Sequence, residues 1–142
     1  MTEHKNALPD GAELVSTAGF NQFVGPLYAL RDGEDGAVKR YAFVAADKHM
    51  NSANAVHGGM LMTFMDVAMS RTARAVSGAQ VCSTVSLTTD FVGPGRLGDL
   101  IEAHIRVTRR ARTMVFMSGL LVCADRTLLS ATGLWKIPGE PK

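Results

Sequence analysis

The chain has 142 residues, which is enough for one domain with a single hydrophobic core. Hydrophobic residues make up 46% and charged residues 20%, which is typical of a globular protein rather than a disordered one. The formal net charge of +2 is too small to indicate nucleic-acid binding, and no apolar run reaches the roughly 18 residues of a membrane span.

The two cysteines, Cys82 and Cys123, both lie in strand-like runs. The first six residues lack the apolar core of a secretory signal. Two thiols in such a chain are more typical of reduced core residues than of a disulfide, so we expect a cytoplasmic protein.

The N-terminal segment predicts a tail followed by a short helix. Residues 1–8 carry no apolar period and indicate a loose tail. Asp10 is a suitable N-cap for a helix over residues 11–17. Phe20 and Phe23 would then anchor this segment to the core.

Two strands and a loop are expected next. Alternating apolar residues predict strands over residues 26–31 and 37–45, joined by a turn rich in glycine and aspartate at residues 32–36. Residues 46–55 are polar without a clear period, which indicates a loop.

The strongest periodic signal covers residues 59–76. Its apolar residues recur at helical spacing: Leu61, Phe64, Met65, Ala68, Met69, Ala75 and Val76. Gly78 is positioned to end the helix. Because no other predicted helix is long, we expect this one to lie at the centre of the fold.

The rest of the chain predicts strands separated by turns. Residues 81–92 and 101–107 alternate between apolar and polar side chains, as half-buried strands do. Residues 113–123 are nearly all apolar, which predicts burial on both faces. A last strand is expected over residues 127–136, followed by a frayed end.

This element order predicts an α+β domain in which an antiparallel curved sheet wraps around one long central helix. The expected organisation is a tail with a short helix in residues 1–18, the main domain in residues 19–137, and a flexible tail in residues 138–142.

Candidate chemistry lies at the start of the long helix. Gly58 and Gly59 would leave backbone N–H groups bare at a helix N-terminus, where unpaired donors and partial positive charge stabilise an oxyanion. Asp66 is a carboxylate in an otherwise apolar stretch, which is costly unless it has a role. Together these features indicate acyl transfer on a thioester or ester.

The spacing of these groups predicts sites shared between subunits. Gly58 and Asp66 are eight residues apart, or about 12 Å along a helix axis. One thioester cannot easily reach both groups within a single chain. Two such helices running antiparallel about a two-fold axis would place each Asp66 beside the partner's helix start.

With these residues placed, the chain resembles a known family. The segment from Asn51 to Gly59, followed after six intervening residues by Asp66-Val67-Ala68, is similar to the signature of hotdog-fold acyl-CoA thioesterases of the phenylacetate-pathway (PaaI-like) branch. Residues 20–25 and 91–99 also resemble that family. The resemblance implies a hotdog fold, acyl-CoA hydrolysis without metal or cofactor, and dimers or dimers of dimers with shared active sites.

The resemblance also implies residue roles. It makes Gly58 the oxyanion donor and Asp66 the general base or nucleophile, with Asn51 and His57 positioning the thioester or the water. Thr84 falls where the family often has a hydroxyl that hydrogen-bonds the water or the carboxylate. Asn54 departs from the pattern, because glycine is common at that position.

Each of these residues also has a structural interpretation. His57 could tie down the loop, Asn51 could cap a turn, and Thr84 could satisfy backbone groups. Asp66 could be an exposed residue paired with Arg71, and the glycines could serve close packing.

Substrate contacts are predicted in two places. Gly59, Met62 and Met69 could line an adaptable acyl pocket, although methionines at helical spacing are more often core residues. Arg109, Arg110 and Arg112 suit the phosphates of coenzyme A, and a solvated hairpin turn explains them equally well. No cysteine and histidine spacing indicates a metal site.

Two other functions remain open from the sequence. A hotdog-fold dehydratase or hydratase acting on acyl thioesters is the second enzymatic interpretation. A non-catalytic acyl-CoA-binding module is the third, although a binder would gain nothing from a buried Asp66.

Overall fold

The computed structural model describes residues 7–139, and these residues form one seven-stranded antiparallel sheet. Its strands are β1 (Glu13–Leu14), β2 (Tyr28–Ala29), β3 (Lys39–Val44), β4 (Ser83–Phe91), β5 (Leu100–Arg110), β6 (Met114–Cys123) and β7 (Arg126–Lys136). Their order in the sheet is β1-β2-β3-β5-β6-β7-β4, so β4 lies at one edge.

Two α-helices and two short 3-10 helices complete the described part: α1 (Gly19–Val24), α2 (Gly58–Ser77), Glu34–Gly36 and Asp47–His49. The sheet curves around α2, which packs against β3, β4, β5, β6 and β7. This arrangement confirms the predicted α+β hotdog architecture with one long central helix. None of the helices within residues 7–139 has the length and apolar character needed to cross a membrane.

The long helix α2 forms where the sequence predicts it. Its apolar stripe, which includes Phe64, Met65 and Met69, is almost completely buried against the sheet. Gly78 ends the helix with a φ of +75°, a left-handed backbone conformation that residues with a side chain rarely adopt.

The sheet approaches α2 closely where β6 and β7 carry glycine. A Cβ on Gly119 would lie 2.9 Å from the sulfur of Met65. A Cβ on Gly133 would collide with the ring of Trp135, whose Nε1–H donates a 2.7 Å hydrogen bond to the Ser70 hydroxyl. The two glycines therefore set the distance between helix and sheet.

The predicted N-terminal helix is wrong. Residues 11–17 include strand β1, which pairs with β2, and the helix begins only at Gly19. The buried Ser16 hydroxyl accepts the Leu27 N–H at 2.8 Å, a long-range bond that holds this segment extended. Phe20 and Phe23 do not anchor it, because they are 62% and 75% exposed.

Two predictions for the C-terminal strands are also wrong. Strand β6 is buried on one face only within this chain, since Phe116 and Leu120 are 38% and 41% exposed on the outer face. Ile137 is not frayed: it is 2% exposed, and its N–H donates to the Thr113 carbonyl at 2.9 Å. The expected tails include residues 1–6 and 140–142, which lie outside the described residues.

Candidate active site

The start of α2 presents one bare amide rather than two. His57 is the N-cap, and its Nδ1 accepts the Gly59 N–H at 2.8 Å. When the His57 ring is neutral, its single ring proton therefore sits on Nε2, which can donate a hydrogen bond on the other side of the ring. Among residues 7–139 the Gly58 N–H donates to no acceptor. The prediction that both glycines are bare is corrected accordingly: only Gly58 is.

An aromatic ring explains why residue 58 is glycine. A Cβ at Gly58 would lie 3.1 Å from Cε1 of Phe91, at the end of β4. Phe91 is itself 54% exposed. The bare amide thus sits beside a partly exposed aromatic face, where any larger residue would push the ring away.

The loop that leads into α2 is held by its own polar groups. The Asn51 Oδ1 accepts the N–H groups of Ala53 and Ala55 at 2.8 and 3.1 Å, so Asn51 does cap a turn. Asn54 has a φ of +62°, the left-handed conformation that glycine favours and asparagine tolerates. Asn54 thus supplies the backbone shape that glycine would give at this position.

A buried histidine ties this loop to α1. His49 is 3% exposed, its Nδ1 accepts the Ala46 N–H at 2.9 Å, and its Nε2–H donates to the Val24 carbonyl at 2.6 Å. Its own carbonyl accepts the His57 N–H at 2.8 Å. Burial lowers the pKa of the His49 imidazole, which favours this neutral ring.

Sequence reasoning missed this clamp, because it predicted only a polar loop over residues 46–55. The loop has no repeating apolar pattern, and the partners of the ring lie 25 residues away at Val24 and within the loop itself. No signal in the sequence marks such a contact.

Asp66 lies half-buried in the middle of α2, facing the edge strand β4. The Thr84 hydroxyl donates a 2.6 Å hydrogen bond to its Oδ1. A bulge between Thr84 and Ser86 interrupts the register of β4 against β7 at this point. Within residues 7–139 Asp66 forms no ion pair, so the alternative pairing with Arg71 is not observed.

Two cavities flank the exposed face of α2. The smaller, of about 300 Å³, is lined by Asp66 together with Phe20, Asn21, Met62, Thr63, Val67 and Leu87. The larger, of about 380 Å³, lies between α1 and the first turn of α2, beside His57 and Gly59. Phe20 and Thr63 line both cavities, so the two lie next to each other along the helix.

The predicted substrate contacts separate in the structure. Met62 lines the cavity beside Asp66, and Gly59 lines the larger one. Met69 is fully buried and packs toward Gly133, which makes it a core residue rather than the predicted substrate contact.

The arginines lie far from the helix start of their own chain. Arg109 and Arg110 end β5, Arg112 follows in the turn, and all three are exposed. The opposite end of β5 adjoins the Gly58 loop, because the Val56 N–H bonds the Gly95 carbonyl just before that strand. The 11 residues of β5 separate the two regions by roughly 30 Å.

Metal ligation has no support in this region. Within residues 7–139 no three His, Cys, Asp or Glu side chains come together as a metal-binding group. The thiol of Cys82, near Asp66, has its pKa raised by burial, which disfavours the thiolate.

Known proteins resemble this chain in sequence and fold. The family model of the thioesterase superfamily matches residues 53–130, just over half of the chain. A Pseudomonas aeruginosa protein with a provisional esterase name is 32% identical over 133 residues, covering 92% of this chain and 98% of that protein.

Solved structures of other proteins share the fold of this chain. A phenylacetic acid degradation-related protein of Ralstonia eutropha JMP134, provisionally named a thioesterase, is 27% identical with a TM-score of 0.66, covering 77% of this chain and 84% of that one. A Streptococcus mutans UA159 protein bound to acetyl-CoA shares the fold, with 18% identity, a TM-score of 0.69, and coverage of 80% and 90%. The chain is therefore a member of the thioesterase superfamily, built on the hotdog fold and similar to its PaaI-like branch.

Proposed function

We propose that this protein hydrolyses acyl-CoA thioesters, with Asp66 as the catalytic carboxylate and the Gly58 amide as the oxyanion donor. The observation that carries the proposal is the 2.6 Å hydrogen bond from Thr84 to Asp66, in the wall of an open cavity on the central helix. Membership of the thioesterase superfamily and the acetyl-CoA bound to a protein of the same fold support it.

The proposed mechanism divides the work between the Asp66 carboxylate and the Gly58 amide. Thr84 occupies one oxygen of Asp66, and the other oxygen takes the proton of a water molecule that attacks the thioester carbonyl carbon. The carbonyl oxygen becomes an oxyanion, which the Gly58 N–H and the positive end of α2 stabilise. The carbon–sulfur bond then breaks, and the leaving coenzyme A thiolate takes the proton back from Asp66.

A covalent route uses the same residues. Asp66 attacks the carbonyl directly, expels the thiolate, and forms a mixed anhydride that water hydrolyses. A single turnover in ¹⁸O-labelled water separates the routes. Direct attack by water puts the label only in the free acid, whereas hydrolysis of the anhydride at the aspartyl carbon puts it in Asp66.

His57 and Asn51 act as positioning residues in this proposal. The His57 ring caps α2 through the Gly59 N–H and keeps the adjacent Gly58 N–H directed out of the helix. Its Nε2–H is available to the thioester or the water. Asn51 shapes the turn that leads into the helix.

We further propose that each site is built from two chains. Gly58 and Asp66 are eight residues apart on one straight helix, about 12 Å along its axis, and side chains that lean toward the N-terminus recover only part of that distance. The edge strand β4 adjoins Asp66 and has a free side for pairing. Antiparallel pairing of β4 with its copy would bring two α2 helices together about a two-fold axis.

Thiol release tests the catalytic role. Asp66→Asn keeps the size of the side chain but removes the base, so kcat/KM for an acyl-CoA should fall by about 100- to 10,000-fold. Asp125→Asn is the matched control, because Asp125 is an exposed carboxylate in the turn between β6 and β7, away from β4 and α2. An Asp66→Asn protein with wild-type turnover would contradict the proposed mechanism.

Mixed dimers test the sharing. We expect Asp66→Ala and Gly58→Val chains each to be inactive alone, the second because valine meets the Phe91 ring. An equal mixture that exchanges subunits should recover about a quarter of wild-type activity, since half of the dimers are mixed and each holds one intact site. Absence of recovery, with exchange demonstrated, would rule out shared sites.

A further inference from the structure

We infer that the 380 Å³ cavity between α1 and the first turn of α2 binds the acyl group of the substrate, and that Phe23 determines which acyl groups are preferred. This inference rests on the proposed function. It assigns the acyl end of the thioester to a compact apolar group, either an aromatic ring or a chain of medium length. The cavity is called the acyl cavity below.

The position of the acyl cavity fits the chemistry at Gly58. Its lining includes His57 and Gly59, the two residues on either side of the bare amide. Gly58 itself does not line the cavity, and neither does the Phe91 ring that lies against its Cα. The acyl group would therefore enter the cavity past the His57 ring and Gly59, while its carbonyl oxygen is held by the Gly58 N–H.

The lining of the acyl cavity is mainly apolar. Its side chains include Phe20, Phe23, Val24, Met50 and Met60, and the charged Lys48 is part of the wall. Aromatic rings and methionines of this kind pack against flat or flexible apolar groups. Such a lining favours an aryl or alkyl group over a polar one.

The way in which α1 is held leaves its rings free for a ligand. This six-residue helix has no fully buried residue, and only Val24 packs, half-buried, against the core. Polar clamps hold its backbone: the Lys48 ammonium donates to the Phe23 carbonyl at 3.0 Å, and the His49 ring donates to the Val24 carbonyl at 2.6 Å. The backbone is fixed while the Phe23 side chain stays 75% exposed.

The size of the acyl cavity limits the acyl group. A volume of 380 Å³ has room for about twelve groups of the size of a water molecule, each taking about 30 Å³. A benzoyl group or a chain of about ten carbons fills this volume, and because the cavity is open to solvent, the rest of a longer chain would extend out of it. Each methylene that enters the cavity should raise kcat/KM about fourfold, and the gain should stop near ten carbons.

Thiol release from a series of straight-chain acyl-CoAs and benzoyl-CoA tests the inference. Phe23→Ala should lower kcat/KM for octanoyl- and benzoyl-CoA about tenfold, through the loss of roughly half a ring of apolar contact. The shortest acyl-CoA that is turned over should change less than twofold, because it does not reach Phe23. Phe116→Ala is the matched control, an exposed phenylalanine on the outer face of the sheet that lines no part of this cavity.

The possible results separate this inference from the proposed function. Equal loss for all acyl lengths, no loss for any, or a change in sedimentation that shows Phe23 to be covered by another subunit would overturn the acyl cavity and leave Asp66-dependent hydrolysis standing. If the wild-type protein releases no thiol, the proposed function fails. Calorimetry with octyl-CoA thioether, which cannot be hydrolysed, then decides: weaker binding to Phe23→Ala than to wild type supports the cavity, and equal binding overturns it.

Discussion

The bond between Thr84 and Asp66 joins two residues 18 positions apart and controls one oxygen of a half-buried carboxylate. A hydrogen bond to a charged group contributes about 1.5–3 kcal/mol. Because the hydroxyl holds Oδ1, it also determines which oxygen of Asp66 faces the cavity. This makes Thr84 a positioning residue in the proposed mechanism.

Replacing Thr84 should therefore reduce turnover more than it reduces stability. We expect Thr84→Val, which keeps the shape and removes the hydroxyl, to lower kcat about 10- to 100-fold with little change in KM. Thr84→Ser keeps the donor and should retain most of the activity. Equal activity of the valine and serine variants would show that the hydroxyl has no role in the reaction.

His49 gives a pH-dependent contribution to stability. Burial lowers its pKa in the folded chain, while in the unfolded chain the ordinary value is about 6.5. The contribution is complete above pH of about 6.5 and is lost as the pH falls below that value, because the unfolded chain then binds the proton more readily. Urea unfolding at pH 7.5 and 5.0 should show a smaller pH difference for His49→Gln than for wild type. An unchanged difference would mean that His49 is not the group responsible.

For single residues, the sequence predicts which groups are reactive better than it predicts the groups that they contact. Asp66 stands out because a carboxylate in an apolar helix is unusual, and Thr84 was expected near it. Met69 was predicted as a substrate contact with a core position as the alternative, and the capped Gly59 N–H was not predicted. Helical spacing does not say whether a methionine faces a cavity or the sheet, and a glycine pair does not show which amide a neighbouring ring accepts.

Among the elements, the contact between α2 and the sheet depends on glycine at β6 and β7. Gly133 lies under the ring of Trp135 and 2.9 Å, measured from an added Cβ, from the sulfur of Met69. We expect Gly133→Ala to destabilise the fold by about 1–3 kcal/mol, because an extra methyl group in a filled core forces rearrangement. Urea unfolding would measure this. Thr132→Ala is the control, since Thr132 is exposed on the outer face; an equal effect of both substitutions would contradict the packing explanation.

The predictability of each element follows from its source of stability. Helix α2 and strand β5 were predicted because periodic apolar patterns mark faces that the fold buries. Strand β4 also alternates, but its Val85 and Phe91 stay exposed within this chain. Helix α1 was missed because six residues without a buried side chain leave no period to detect. It is held instead by hydrogen bonds to Lys48 and His49, 25 residues further along the chain.

For the molecule as a whole, the exposed apolar side chains of β4 indicate a partner. Val85 is 53% exposed beside the bulge, and Phe91 is 54% exposed at the strand end. An apolar strand at a sheet edge is a ready surface for pairing with another strand. This agrees with the proposed assembly of two chains through β4.

A charge placed on this edge should separate the chains. We expect Val85→Lys to shift the protein from dimers or larger assemblies toward monomers in sedimentation velocity, because each copy would place a charge on the apolar edge proposed as the interface. Ala37→Lys adds the same charge at an exposed turn far from β4 and should leave the assembly unchanged. Unaltered sedimentation of Val85→Lys would place the interface elsewhere.

The eight-residue offset between Gly58 and Asp66 has one last consequence. If neither chain alone can complete a site, a working active site exists only while two chains are bound to each other. Dilution below the dissociation constant of the pair would then reduce turnover per chain in proportion to the loss of pairs, even though every chain stays folded. The abundance of the protein in the cell would thus determine the activity per chain as well as the total activity. A modest fall in expression would lower the total activity more than proportionally.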